Sequence, residues 1–203
     1  MPLPSPAPRH PSHTRTVVYR GFDREDGLWD IEAELTDVKT FTFLMLNEKS
    51  FEAGRPVHGL SIRLTVDSDL LIHEVATSMD HIPHATCDQA PANMHRLKGC
   101  HMGKGWRRQI DEKVGGIDGC THLREMLSNM ATAALQTLSS GEWRRREMRG
   151  QSHPSQTEMP PYLEQCHTWA RGSAITKHFF PMFFQPRAEA SDGGRPIGDK
   201  PET

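Results

Sequence analysis

The stretch Gly115-Gly116-Ile117-Asp118-Gly119-Cys120-Thr121-His122-Leu123 sets a thiol and an imidazole at the start of the longest apolar-periodic segment of the chain. The pattern predicts a helix beginning here, with Asp118 as its N-cap. A thiol at a helix start faces unpaired backbone N–H groups and the positive end of the helix dipole. Both favour thiolate, the form that attacks electrophiles and binds metals, so Cys120 is the first candidate for a reactive or metal-binding sulfur. The plainer alternative is a small cysteine packed where the helix meets a sheet. His122 lies two positions on and would point to another side of a regular helix. The two could share an ion only if Cys120 still belongs to the loop. Otherwise His122 acts separately, or caps and packs.

Other histidines and cysteines widen the search. Cys166-His167 forms a second concentration, and Cys87, Cys120, Cys166 and His167 would make a mixed zinc set if the fold gathered them. No CxxC or HxxxH spacing supports that set. An iron–sulfur accessory role would draw on the same thiols. His73, Asp80, His81, His84 and Cys87 form a third cluster, in which His81 and His84 flank Pro83 and read as a solvated loop after a strand. His58 follows Pro56-Val57 and could face a cleft at a strand entrance, with Asp30 as an assisting carboxylate. The sequence holds no glycine-rich phosphate loop, no GxSxG elbow and no HExxH pair, which lowers the weight of cofactor-dependent redox and phosphoryl transfer on the usual scaffolds.

Composition narrows the setting. The chain has 203 residues, 35% hydrophobic and 25% charged, with a formal net charge of −2. Interleaved charges of both signs argue against a nucleic-acid partner. Arg144-Arg145-Arg146 is the local exception, and it reads as a solvated turn past a helix end. No apolar run approaches the roughly 18 residues that a bilayer span needs. Met1-Pro2-Leu3-Pro4-Ser5-Pro6 shows neither a basic nor an apolar leader region, so no secretory signal is expected. The expected setting is the cytoplasm, with Cys87, Cys100, Cys120 and Cys166 as free thiols.

Periodicity then supplies the elements. Prolines at 2, 4, 6, 8 and 11 predict a disordered arm over 1–12, and the polar run from 186 predicts a disordered tail over 186–203. The body between, 13–185, reads as a single domain. Thr14 to Phe22 and the alternating Trp29, Ile31, Ala33, Leu35 form a hairpin around Asp26-Gly27. Leu60, Ile62, Leu64, Val66 and the return from Leu70 to Thr77 form a second, turning at Ser68-Asp69. An antiparallel sheet of four or more strands follows. Helices are expected from Asp88 to Gly99, around Trp106-Ile110-Val114, and from Cys120 to Ser140 with Gly141 as its stop. Tyr162 to Trp169 reads as a short helix and Ala174 to Phe180 as a last strand. Strands first and helices after give an α+β fold, the sheet from the N-terminal hairpins packing on the C-terminal helices.

The joint occurrence of His13-Thr14-Arg15, Asp26-Gly27-Leu28-Trp29-Asp30-Ile31-Glu32, Leu64-Thr65-Val66-Asp67, Gly119-Cys120-Thr121-His122-Leu123 and Cys166-His167 resembles a bacterial family of unknown function, over about residues 13 to 182. The resemblance implies one fold throughout a bacterial cytoplasmic protein and carries no mechanism. Three functional readings stand. The first is a small-molecule lyase or hydrolase acting on a carbonyl or aromatic compound, using Cys120, His122, His58 and Asp30. The second is a protein that binds a transition metal such as zinc, or an iron–sulfur group. The third is a non-catalytic interaction domain that forms a homo-oligomer through the aromatic set Phe179, Phe180, Phe183 and Phe184.

Overall fold

Burial that alternates along the second strand of the sheet and along most of its last two dictates the architecture. In β1 (His13–Asp23), β2 (Trp29–Lys39), β5 (Pro56–Val66) and β6 (Ile72–His81), successive side chains face opposite ways. Together they form one antiparallel sheet in the order β1-β2-β5-β6, as the sequence pattern predicts. The short strands β3 (Phe43–Met45) and β4 (Lys49–Phe51) make a separate hairpin within the β2–β5 connection. The computed structural model describes residues 3–46, 49–151, 159–160 and 162–186. These residues divide into two compact units, Met1–Gln151 and Ser152–Thr203. Beyond Pro186, the expected tail lies outside the described residues.

One face of the sheet is dry and the other wet. Trp29, Ile31, Ala33 and Leu35 of β2 and Leu60, Ile62, Leu64 and Val66 of β5 are buried in one core cluster. Each large side chain so buried stabilises the fold by about 1.5–3 kcal/mol. Helices α1 (Trp106–Val114) and α2 (Thr121–Met148) supply the opposing layer through Trp106, Ile110, Val114, Leu123, Met126, Leu127, Met130, Ala134 and Leu138. The Trp106 indole N–H donates to the Leu127 carbonyl at 2.8 Å and pins the two helices together. No helix among the described residues is long and apolar enough to cross a membrane.

Several local expectations need correction. The 85–99 region is a run of 3-10 turns, Ala85–Leu97, preceded by His84 and not capped by the Asp88 side chain. Pro91 lies inside it and cannot donate the bond an α-helix requires. Helix α2 does not stop at Gly141 but continues to Met148. Gly141 lies against the Trp29 ring, and a Cβ there would come within 2.2 Å of Cη2. The glycine is therefore a point of close approach and not a terminator. Arg145 lies on the helix rather than in a solvated turn. Its guanidinium sits 3.7 Å over the Trp29 ring and pairs with Asp23.

In the second unit, residues 162–169 form turns, with Glu164 at φ +64°, a conformation that a helix cannot contain. The segment expected to be a strand is the helix α3 (Ala174–Phe179). The Ser173 side chain accepts from the Thr176 N–H and starts a helix that the β-branched Ile175 and Thr176 disguise. Tyr162, Trp169 and Phe180 pack as an aromatic cluster within this unit.

Candidate functional site

The inward stripe of β2 runs Trp29, Ile31, Ala33, Leu35 and then Asp37, so strand parity places a carboxylate at the end of a hydrophobic face. Asp37 is only 4% exposed. A carboxylate so buried must be paired and hydrogen-bonded, because desolvation alone would cost several kcal/mol. The same parity on β5 carries Leu60, Ile62, Leu64 and Val66 back to His58, which stands opposite Asp37 in the register. Just beyond this pair the register shifts, since Val38 pairs with Pro56. Such bulges re-aim side chains at strand ends.

Four donors reach Asp37. Arg15, its partner across β1–β2, donates from Nε to Oδ1 and from Nη2 to Oδ2, both at 2.8 Å. His13 Nε2 meets Oδ1 at 2.8 Å, and His58 Nδ1 meets Oδ2 at 3.0 Å. Arg15 also reaches Glu125 on α2 and so ties β1, β2 and the helix together. Burial alone would push the Asp37 carboxyl up. The hydrogen bonds from Arg15 and His13, with the charges of Arg15 and His58, outweigh that and hold it well below the ordinary carboxylate range.

The first turn of α2 brings the fifth group. His122 Nε2 lies 3.9 Å from Asp37 Oδ2, and its ring centroid is 4.0 Å from that of His58. Cys120 occupies the N-cap position in an extended conformation, so it stands outside the helix. That placement removes the divergence expected of residues two apart on a helix, and the Cys120 sulfur comes to 3.7 Å from His122 Nδ1. Asp118, the expected cap, belongs to a preceding 3-10 turn, Gly116–Asp118. Burial lowers the proton affinity of both His58 and His122, opposed in each by Asp37 and reinforced in each by the positive Arg15. Both imidazoles are therefore neutral near pH 7 and free to accept a proton.

Of the residues singled out by sequence, Cys120, His122 and His58 come together and Asp30 does not. Asp30 lies on the opposite face of β2, seven residues away, or about 23 Å at strand rise. It is held there by Thr65 at 2.6 Å and Arg24 at 3.2 Å. The carboxylate that meets the imidazoles is Asp37. Cys87 sits in the 3-10 run and outside this group, while Cys166 and His167 lie in the second unit, where Cys166 is exposed. The group expected in a loop lies mostly on β6, which holds His73, Asp80 and His81, while His84 stands just before the 3-10 run. His73 pairs with Asp67 at 2.7 Å, and Asp80 accepts from Ser78 at 2.6 Å. Among the described residues, Asp37, His58 and His122 form the one group of three whose ligand atoms lie within 4.8 Å of one another.

Comparison with known proteins adds a family and no chemistry. No curated protein and no solved structure matches the chain. A family model described as a protein of unknown function (DUF2889) matches residues 13–136. That span begins at His13 and takes in Arg15, Asp37, His58, Cys120, His122 and Glu125. The match covers more than half of the sequence, and the chain belongs to the DUF2889 family.

Proposed function

We propose that the chain is a small-molecule enzyme of hydrolase or lyase type that acts on a carbonyl compound, with Cys120 as nucleophile, His122 as base and Asp37 as the carboxylate that orients the base. The observation that carries this reading is the chain of contacts from sulfur to His122 Nδ1 and from Nε2 toward a buried, fully ionised Asp37. A nucleophile, a base and a carboxylate that orients the base make up the triad logic of acyl transfer. The distances of 3.7 and 3.9 Å are loose, as catalytic contacts often are before substrate closes them.

In the hydrolytic form of the reaction, His122 Nδ1 takes the thiol proton as sulfur bonds to the carbonyl carbon. The C=O electron pair moves to oxygen and returns as the leaving group departs with the proton from His122. Water then attacks the thioester, with His122 again taking a proton, and the collapsing adduct expels sulfur, which recovers that proton from His122 as the acid product departs. His58 donates Nδ1–H to Asp37 and keeps its Nε2 lone pair, which makes it a second proton acceptor beside the first.

The test is a panel of small esters, thioesters and activated amides assayed with the full chain, Cys120→Ser and His122→Ala. Loss of the general base should slow turnover by about 10²–10⁴-fold. Iodoacetamide labelling mapped by peptide should also be slower at Cys120 in His122→Ala. Variants that keep every activity found for the parent, with unchanged Cys120 labelling, would end this reading.

A further inference from the structure

The same cluster presents a second face on the far side of the His122 ring from Cys120. The two nitrogens of an imidazole diverge, so the sulfur at Nδ1 and the carboxylate beyond Nε2 lie on opposite sides of the ring. On the carboxylate side three donors converge: Asp37 Oδ2, His58 Nδ1 and His122 Nε2. We propose that these three atoms bind a divalent transition-metal ion of the zinc type, and that Cys120 is not among its ligands.

Distances support the geometry. Zinc sits about 2.0–2.2 Å from nitrogen or oxygen ligands in a tetrahedral arrangement, so neighbouring ligand atoms stand about 3.3–3.5 Å apart. The two separations from Asp37 Oδ2 are 3.0 Å to His58 and 3.9 Å to His122. They bracket the required value, each within about half an ångström of it, and the ligand atoms of the three residues all lie within 4.8 Å of one another. Two imidazoles with one carboxylate leave one tetrahedral position open, as in catalytic rather than purely structural sites. The carboxylate is also supported from behind. His13 and Arg15 Nε hold Oδ1, and Arg15 Nη2 holds Oδ2. Outer partners of this kind orient a ligating carboxylate.

The inference goes beyond the thiol reading and sets a condition on it. Metal at Nε2 leaves the one proton of a neutral His122 on Nδ1, where it points at sulfur. Metal at His58 Nδ1 likewise moves that ring's proton to Nε2. No proton is gained or lost by either ring, but His122 can no longer accept the thiol proton. The metal-loaded chain should therefore have a less nucleophilic Cys120 than the metal-free one.

The experiment is a Co²⁺ titration of the untagged, chelator-treated full chain, followed by visible absorption. One saturable ion per chain, with d–d bands and no sulfur-to-cobalt charge-transfer band, is the expected result. His58→Ala and His122→Ala should each abolish it. His13→Ala, which touches only the carboxylate, should weaken it about 10–100-fold. His73→Ala should leave it unchanged, and thermal melts of every variant separate lost folding from lost ligands. Absence of saturable binding, binding that survives loss of both imidazoles, or a thiolate charge-transfer band would each overturn the proposal. Failure here leaves the Cys120→Ser result untouched, and failure of the thiol reading leaves the cobalt spectrum untouched.

Discussion

Replacing Asp37 by asparagine keeps the shape of the side chain and removes the charge that four donors share. Hydrogen bonds to a charged group are worth about 1.5–3 kcal/mol each. Removing one partner of a buried ion pair costs about 3–5 kcal/mol. Arg15 is 30% exposed and keeps Glu125, so its share falls toward the lower end. The new amide also turns N–H groups toward donors already in place. The expected destabilisation is about 2–4 kcal/mol at pH 7. For a chain of this size that corresponds to about 4–16 °C in melting temperature.

The pH dependence of that penalty separates a charge effect from a packing effect. His58 and His122 bind protons less readily folded than unfolded, so their contribution is complete above about pH 6.5 and is lost as pH falls through their lower folded values. Asp37 is among the groups that raise both. Without it they are depressed further, and the penalty should widen between about pH 7 and 5. Asp37 itself is held below the ordinary carboxylate range, so its contribution is complete above about pH 4 and is lost as pH falls toward its folded value. The penalty should therefore peak near pH 5 and shrink below about pH 4. Urea unfolding of chelator-treated protein, followed by tryptophan fluorescence at pH 7, 5 and 3.5, measures it. A penalty below about 1 kcal/mol, or one that is flat with pH, would refute the view that an ionised Asp37 organises the site.

Gly141→Ala should destabilise by about 1–3 kcal/mol, because the added methyl meets the Trp29 ring at 2.2 Å. Helix propensity alone would give the opposite sign by about 1 kcal/mol, and urea unfolding reads which effect wins. Arg145→Ala should cost about 1–2 kcal/mol through loss of the contact over Trp29 and the Asp23 pair, whereas the exposed Arg144→Ala should fall within about 0.5 kcal/mol of the parent. In metal-free protein, proton NMR of the imidazole C2 positions should show His58 and His122 titrating below about 6.5, and titration of either above that value would contradict the burial argument.

Strand parity had already written half of this site into the sequence. Once Trp29, Ile31, Ala33 and Leu35 are taken as the inward face of β2, the next inward residue is Asp37, and Asp30 must face the other way. Carrying Leu60, Ile62, Leu64 and Val66 back by one step gives His58 in the same manner. The hairpins and their turns were legible for the same reason. What parity cannot supply is register. The β2–β5 connection contains its own hairpin, and a shift at Asp37–Val38 ends the ladder. No local pattern therefore says that Asp37 stands opposite His58, or that Arg15 of the edge strand completes the pair.

Two of the misreadings share one cause, which is that contacts made at a distance overrode local propensity. Gly141 reads as a stop until Trp29 is placed against it, and Arg145 reads as solvated until the same ring lies beneath it. The first turn of α2 shows the converse. Local signals put a thiol and an imidazole at a helix start, and their usefulness depended on which residue capped the helix. With Asp118 as cap, Cys120 and His122 would diverge on helical spacing. With Cys120 itself at the cap, in extended conformation, its sulfur swings back to His122 while Nε2 of the same ring looks into the sheet toward Asp37. A shift of two residues in the start of one helix thus decides whether the sheet's buried carboxylate and the loop's thiol share an imidazole.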